Sequence, residues 1–425
     1  MVILARLLVG LLAIATIALM LAFTTTMGVI ALESRPLDSA AMKSSPEAKA
    51  YEAAEKAALT SVGLVATNRD VGIRAPIARA HAFEHGKGEP VLLLPGDGGA
   101  ATFAPLMGEL AKYHLYVLDR PGRGLTDGID YQGVDLRRHA VVFIKNMLNS
   151  LGIGRVVLVG SGLGGDFAIW YALAHPDRVA GIILLGTPAG ALGTGAPAPM
   201  QRLTVDGLSQ LLSVTVSSHP SADAARARYA PFLGAHATKR MSAEVLETLI
   251  SADAMPGSRR GQRTLWRDLL SKKITGVTAE ELPQLKPPLL WVWGDGDAYA
   301  DPAFVGRAKV AAPAAEWSVL AGAGNAPWLD DAAAVAAPIA AFLDRVQPVT
   351  PAPATAAAPR PVKHGGRPHS DGSPAVGALP DDEPADPTPL AIPAAQEPPK
   401  PAAAAPAQDP PKPAKRPAGP VDEDE

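Results

Sequence analysis

Residues 156–165 read Val156-Val157-Leu158-Val159-Gly160-Ser161-Gly162-Leu163-Gly164-Gly165, an apolar run that gives way to a glycine cluster. The run fits a buried strand and the glycines fit a sharp turn, so the segment reads as strand, elbow and helix. Its spacing is that of Gly-x-Ser-x-Gly, a frame whose central residue sits in a strained, positive-φ turn and carries a nucleophilic hydroxyl. Gly160 and Gly164 fix that centre at Gly162, which has no side chain. Moving the centre to Ser161 would place Val159 and Leu163 at the flanking positions, where their side chains would crowd the turn. The segment has the frame for acyl transfer and lacks the atom that performs it.

Five further segments extend the pattern. Residues 89–96 (EPVLLLPG) read as a strand ending in a turn, and residues 115–127 (LYVLDRPGRGLTD) as a strand and loop of the form D-x-x-G-x-G-x-S with Thr126 at the serine position. Residues 181–188 (GIILLGTP) read as the strand after the elbow helix, and residues 288–297 (PLLWVWGDGD) as a strand delivering an acid in G-x-x-D. Residues 322–331 (GAGNAPWLDD) follow. In this order and at these spacings the chain resembles the α/β-hydrolase superfamily over residues 75–346. The resemblance implies an α/β fold, a mostly parallel, doubly wound sheet with a helical cap insertion.

Carried over position by position, the resemblance implies Gly162 at the nucleophile, Asp297 at the acid and Asn325 at the histidine. Pro95 stands at the histidine of the family's His-Gly turn. The implied oxyanion-hole donors are the main-chain N–H groups of Leu163 and of a residue near Asp97. The mechanism needs a hydroxyl, an imidazole to take its proton and a carboxylate to orient that imidazole. Glycine supplies no nucleophile, and an amide does not titrate near neutral pH. Loss of a serine-hydrolase triad costs on the order of a million-fold in turnover. A carboxylate at Asp97 would oppose a developing oxyanion if it faced the pocket; in a Gly-rich turn it equally suits solvent.

Replacement chemistry has few sources. His81, His85, His114, His139 and His175 fall on strands or helix positions that suit structural or surface roles, while His219 and His236, in the cap insertion, are possible bases. A carboxylate pair, Asp97 with Asp297, is a second route. No metal is expected: the chain has no cysteine, and Asp295, Asp297 and Asp301 lack accompanying histidines. No cofactor is expected either. The stretch 160–165 lacks the Lys-Ser/Thr of a phosphate loop, and Asp177 follows too closely to serve as a ribose carboxylate.

The ends of the chain suggest location. Residues 7–32 are uncharged and largely apolar, roughly 39 Å as a helix against a bilayer core of about 30 Å. The segment reads as a transmembrane signal-anchor over 1–33; a signal peptide cleaved near Val29-Ile30-Ala31 is the alternative. Arg35, Lys43, Lys49 and Lys56 after the span favour a cytoplasmic domain by the positive-inside rule, while the short N-terminal flank favours the extracytoplasmic side, which is the reading adopted. Residues 34–75 form a charged, Ala-rich tether with a helix start at Ser45-Pro46-Glu47. Residues 347–425 are Pro/Ala-rich, repeat Pro-Pro-Lys-Pro-Ala at 398–402 and 410–414, and read as a disordered spacer or a docking tail for a protein partner.

Between them, residues 76–189 and 287–346 form the core and residues 190–286 the cap. Within the cap, Ser242 begins a helix and Leu265, Trp266, Leu269 and Leu270 share a face. Net charge is −3, so nucleic acid is not an expected partner. The sequence reading is a membrane-tethered protein with a degenerate triad that binds an apolar or acyl-bearing small molecule without hydrolysing it, or serves as an interaction module. The alternative is a hydrolase or lyase of ester-like substrates using Asp297 with a cap histidine.

Overall fold

The computed structural model describes residues 2–33, 43–73, 79–96, 98–195, 220–255, 258–270, 275–300 and 303–346. The anticipated tail, 347–425, and the individual residues Asp97, His219 and Asp301 lie outside them.

Short apolar runs bounded by glycine and proline become the strands. These are β1 (Thr67–Gly72), β2 (Arg79–His85), β3 (Pro90–Leu94), β4 (His114–Leu118), β5 (Val156–Ser161), β6 (Val179–Leu185), β7 (Leu289–Gly294) and β8 (Glu316–Leu320). They form one sheet in the order β1-β2-β4-β3-β5-β6-β7-β8. Pairing is antiparallel at β1/β2 and β2/β4 and parallel from β4 onward.

Alternate residues of each strand face opposite layers. Leu92, Leu158, Ile182 and Leu184 enter one core with Phe143, Ile144, Phe167 and Trp170. Their neighbours Val91, Leu93, Val157, Val159, Ile183 and Leu185 enter a second core with Phe103, Met107, Ile339 and Phe342. Near-continuous apolar strands are required because both faces of the sheet are covered.

The helices are α1 (Val2–Glu33), α2 (Pro46–Ser61), α3 (Ala104–Glu109), α4 (Leu136–Ser150), α5 (Leu163–Ala174), the cap helices α6 (Ala222–Leu233), α7 (Ala235–Arg240), α8 (Ala243–Ala254) and α9 (Ser258–Leu270), and α10 (Phe304–Ala311), α11 (Pro327–Asp330) and α12 (Ala332–Val346). Several start where a side chain caps them. Ser45 accepts from Ala48 N–H at 3.1 Å, Asp135 from Arg138 N–H at 3.0 Å, and Ser242 from Val245 N–H at 3.2 Å. In the tether, α2 packs against cap helix α8 and buries Ala48, Tyr51, Ala54, Ala58 and Leu59.

The expected membrane span is not shown. Helix α1 exposes Val9, Leu11, Leu12, Ile14, Ile17, Leu19, Met20, Leu21 and Phe23. Among the described residues, however, no helix is long and apolar enough to cross a membrane.

Candidate active site

The elbow at the end of β5 is built by contact distances that exclude side chains. A Cβ on Gly160 would collide with the backbone of Gly164 and Gly165, and one on Gly164 would collide with the carbonyl of Leu94. These two glycines let β5, β3 and α5 approach closely. Gly162 differs. It has φ +49° and ψ −126°, yet a Cβ there would meet only the Cα of Gly96, at 3.5 Å, an ordinary contact. The strained geometry that presents a nucleophile is present, with room for a side chain, and none is there.

Ser161, one residue earlier, is buried and its Oγ accepts from Gly96 N–H at 3.2 Å. This bond fastens the loop after β3 to the elbow. Of the two implied oxyanion-hole residues, Leu163 opens α5, where main-chain N–H groups have no partner within the helix. The other, Asp97, is outside the described residues.

At the far side of the site, the loop after β7 delivers Asp297 and the loop before α11 delivers Asn325, both buried. Asn325 Nδ2 donates to Asp297 Oδ2 at 2.9 Å, with Oδ1 at 3.2 Å, and to the carbonyl oxygen of Thr187 at 3.2 Å. The carboxylate also accepts from Thr187 N–H at 2.8 Å and Tyr299 N–H at 2.9 Å. Burial pushes the Asp297 carboxyl above the ordinary range, while donation from Tyr299, Asn325 and Thr187 opposes that shift. The two hydrogens of the Asn325 amide therefore go to Asp297 and Thr187. The pair forms a closed clasp, and the Asn325 amide has no atom that takes a proton from a substrate near neutral pH.

The cap closes over this floor. Gly234 and Gly324 approach so closely that a Cβ on Gly234 would stand 3.1 Å from the Gly324 Cα, and Ala326 N–H bonds to Leu233 O at 3.2 Å. Arg123 pairs with Asp253 at 2.6 Å, Arg120 donates to Gln262 at 2.6 Å, and Tyr131 N–H donates to Thr264 at 3.1 Å. Trp266 lies 6.5 Å from the ring of Tyr299, beside Asp297.

The proposed cap base is placed elsewhere. His236 is 57% exposed at its side chain and turns to Asp330, with which it pairs at 2.8 Å. The suggested Asp97–Asp297 pair cannot be described, since Asp97 lies outside the described residues.

Sequence reasoning placed no metal near these loops and dismissed His81. The structure instead gathers Glu55, His81 and Asp119, all buried, from α2, β2 and the end of β4. Neighbouring signals could have drawn attention to it: a histidine amid apolar strand residues, and a Tyr51/Glu55 pair one turn apart on the face of α2 that also buries alanines.

An eight-stranded, mostly parallel sheet with an elbow after β5, an acid after β7 and a cap between β6 and β7 defines an α/β-hydrolase-type protein. The family model for the alpha/beta hydrolase fold matches residues 89–332, and the chain belongs to that family. A relative from Paraburkholderia phymatum, a 2-hydroxy-6-oxononadienedioate/2-hydroxy-6-oxononatrienedioate hydrolase, is 29% identical over 59% of this chain and 86% of its own. A 2-hydroxy-6-oxo-6-phenylhexa-2,4-dienoate hydrolase from Comamonas testosteroni is 29% identical over 51% of this chain and 80% of its own. Among solved structures, a meta-cleavage product hydrolase from Pseudomonas fluorescens superposes with TM-score 0.54 at 19% identity, covering 65% of this chain and 97% of its own. A bacterial membrane phospholipase A superposes with TM-score 0.53 at 19% identity, covering 81% of this chain and 99% of its own. These last two show the fold.

Proposed function

We propose that this protein is a non-hydrolytic member of the family, held at a membrane by α1, that encloses an apolar or acyl-bearing small molecule between the sheet and the cap. One observation carries the reading. Gly162 keeps the elbow conformation with room for a side chain, while at the histidine position the Asn325 amide hydrogens are directed to Asp297 and Thr187. Nucleophile and base are missing together, while the elbow and the acid Asp297 are kept. A capped site without nucleophile or base suits binding.

Membrane attachment rests on the apolar side chains that α1 exposes around its circumference and on the uncharged run 7–32; the extracytoplasmic side remains the proposed one. The tail is proposed as a spacer or a docking segment for a protein partner. The relatives' names as hydrolases keep an enzymatic reading in view, but it would need a base that Asn325 does not supply and that His236 does not bring to Asp297.

The test is binding without turnover. The full chain in detergent is titrated with a fluorescent medium-chain acyl ester, and the bound ester is recovered after prolonged incubation. Saturable binding with the ester intact supports the proposal. Absent binding, or recovery of the cleaved acid, overturns it.

A further inference from the structure

Glu55 is 1% exposed, and neither of its carboxylate oxygens has a hydrogen-bond partner. It reaches from α2 toward His81, also 1% exposed, and Asp119, fully buried. His81 Nδ1 lies 2.9 Å from Asp119 Oδ2, and its Nε2 has no partner. Tyr51, one helical turn before Glu55, donates its single hydroxyl hydrogen to Asp119 Oδ1 at 3.1 Å. Arg123 is engaged by Asp253 at 2.6 Å. A buried carboxylate without partners is costly.

The spacing indicates what would. One ligand atom each from Glu55, His81 and Asp119 lie within 4.8 Å of one another. Two atoms sharing one tetrahedral ion at bonds of about 2.1 Å stand roughly 3.4 Å apart, so the widest pair would close by at most about 1.4 Å to complete the set. Asp119 is already positioned by Leu125 N–H at 3.0 Å and Ala100 N–H at 3.4 Å.

We infer that Glu55, His81 and Asp119 form a site for one divalent transition cation of the zinc class, which pins the tether helix α2 to the core loop after β4. One imidazole and two carboxylates are donors that suit such an ion. Two carboxylates match its charge, and the three buried donors would fill three of the four positions of a tetrahedral ion. The ion would link the segment leading from α1 to the loop that supports residues 96–100. This goes beyond the binding function and does not depend on it.

The full chain in detergent is stripped with EDTA, dialysed and titrated with Zn2+, following metal content by mass spectrometry and unfolding by calorimetry. The expected result is one Zn2+ retained per chain and a melting temperature raised by several degrees. Both are lost in Glu55→Gln, which keeps the shape, and in His81→Gln. No stoichiometric retention by the wild-type chain overturns the assignment. Equal retention by Glu55→Gln overturns it too, since the metal would sit elsewhere. So does a metal-free Glu55→Gln that melts as high as the zinc-loaded wild type without responding to Zn2+, because Glu55 would then be only an unsatisfied buried charge.

Discussion

Asn325 donates to Asp297 at 2.9 Å from the position where the family carries its histidine, and the same amide nitrogen reaches the carbonyl oxygen of Thr187 at 3.2 Å. An acid–base pair has become a clasp between the loops after β6 and β7 and the loop before α11. Removing the amide leaves the carboxylate short of a donor in a buried setting. Asn325→Ala is expected to destabilise the protein by about 1–3 kcal/mol, read as a lower midpoint in urea unfolding.

The elbow predicts a reconstruction. Gly162 keeps a nucleophile's backbone conformation, and a Cβ there meets nothing closer than 3.5 Å. Gly162→Ser combined with Asn325→His should therefore bring ester hydrolysis at least on the order of a hundredfold above either single variant, the scale of a positioned general base. Equal rates in the double and single variants would show that the pocket has lost more than two side chains.

The glycines of the elbow should also separate by mechanism. Gly162→Ala suffers only its positive φ, a strain of about 1–3 kcal/mol. Gly164→Ala drives a methyl into the Leu94 carbonyl and should prevent folding or cost several kcal/mol more. Thermal melts of the two variants side by side check the order.

How much of this was legible in the sequence follows from the range of each interaction. The parallel core was legible because strands covered on both faces are written as unbroken apolar runs, such as 156–159 and 182–185, punctuated by glycine. Helix starts at Ser45, Asp135 and Ser242 were legible because a cap bonds within three residues. The clasp was not, since Thr187, Asp297 and Asn325 meet only once three separate loops are folded. Nor was the Glu55–His81–Asp119 cluster: Glu55 looks like one charge among many on a surface helix until α2 docks. His236 illustrates the opposite error, a histidine near the site in sequence order whose ring turns to Asp330.

Acid sensitivity is expected from His139. Burial, with Arg120 adding to it, lowers its pKa to about 4, against about 6.5 in the unfolded chain. The unfolded state then binds the extra proton between those values, so stability is full above pH 6.5 and is lost as pH falls toward 4, by up to about 3 kcal/mol. His139→Phe, which can keep the edge contact with Tyr131 and the stacking on Phe143, should flatten the stability profile between pH 6.5 and 4 in urea unfolding.

The salt bridge from Arg123 to Asp253 ties the loop after β4 to cap helix α8. Arg123→Leu leaves a buried carboxylate with the partly exposed Arg228 as its remaining ion-pair partner, and breaking a buried pair costs about 3–5 kcal/mol. Faster amide exchange in α8 than in β5 would locate the loss in the cap.

The most direct test of the central claim is ester turnover by the purified full chain in detergent across acyl-chain lengths, with Asp297→Ala measured in parallel. Rates that match the uncatalysed control, and are unchanged by Asp297→Ala, are the predicted result. Turnover by the wild-type chain that Asp297→Ala abolishes would contradict the account and establish an active site working without the serine and histidine.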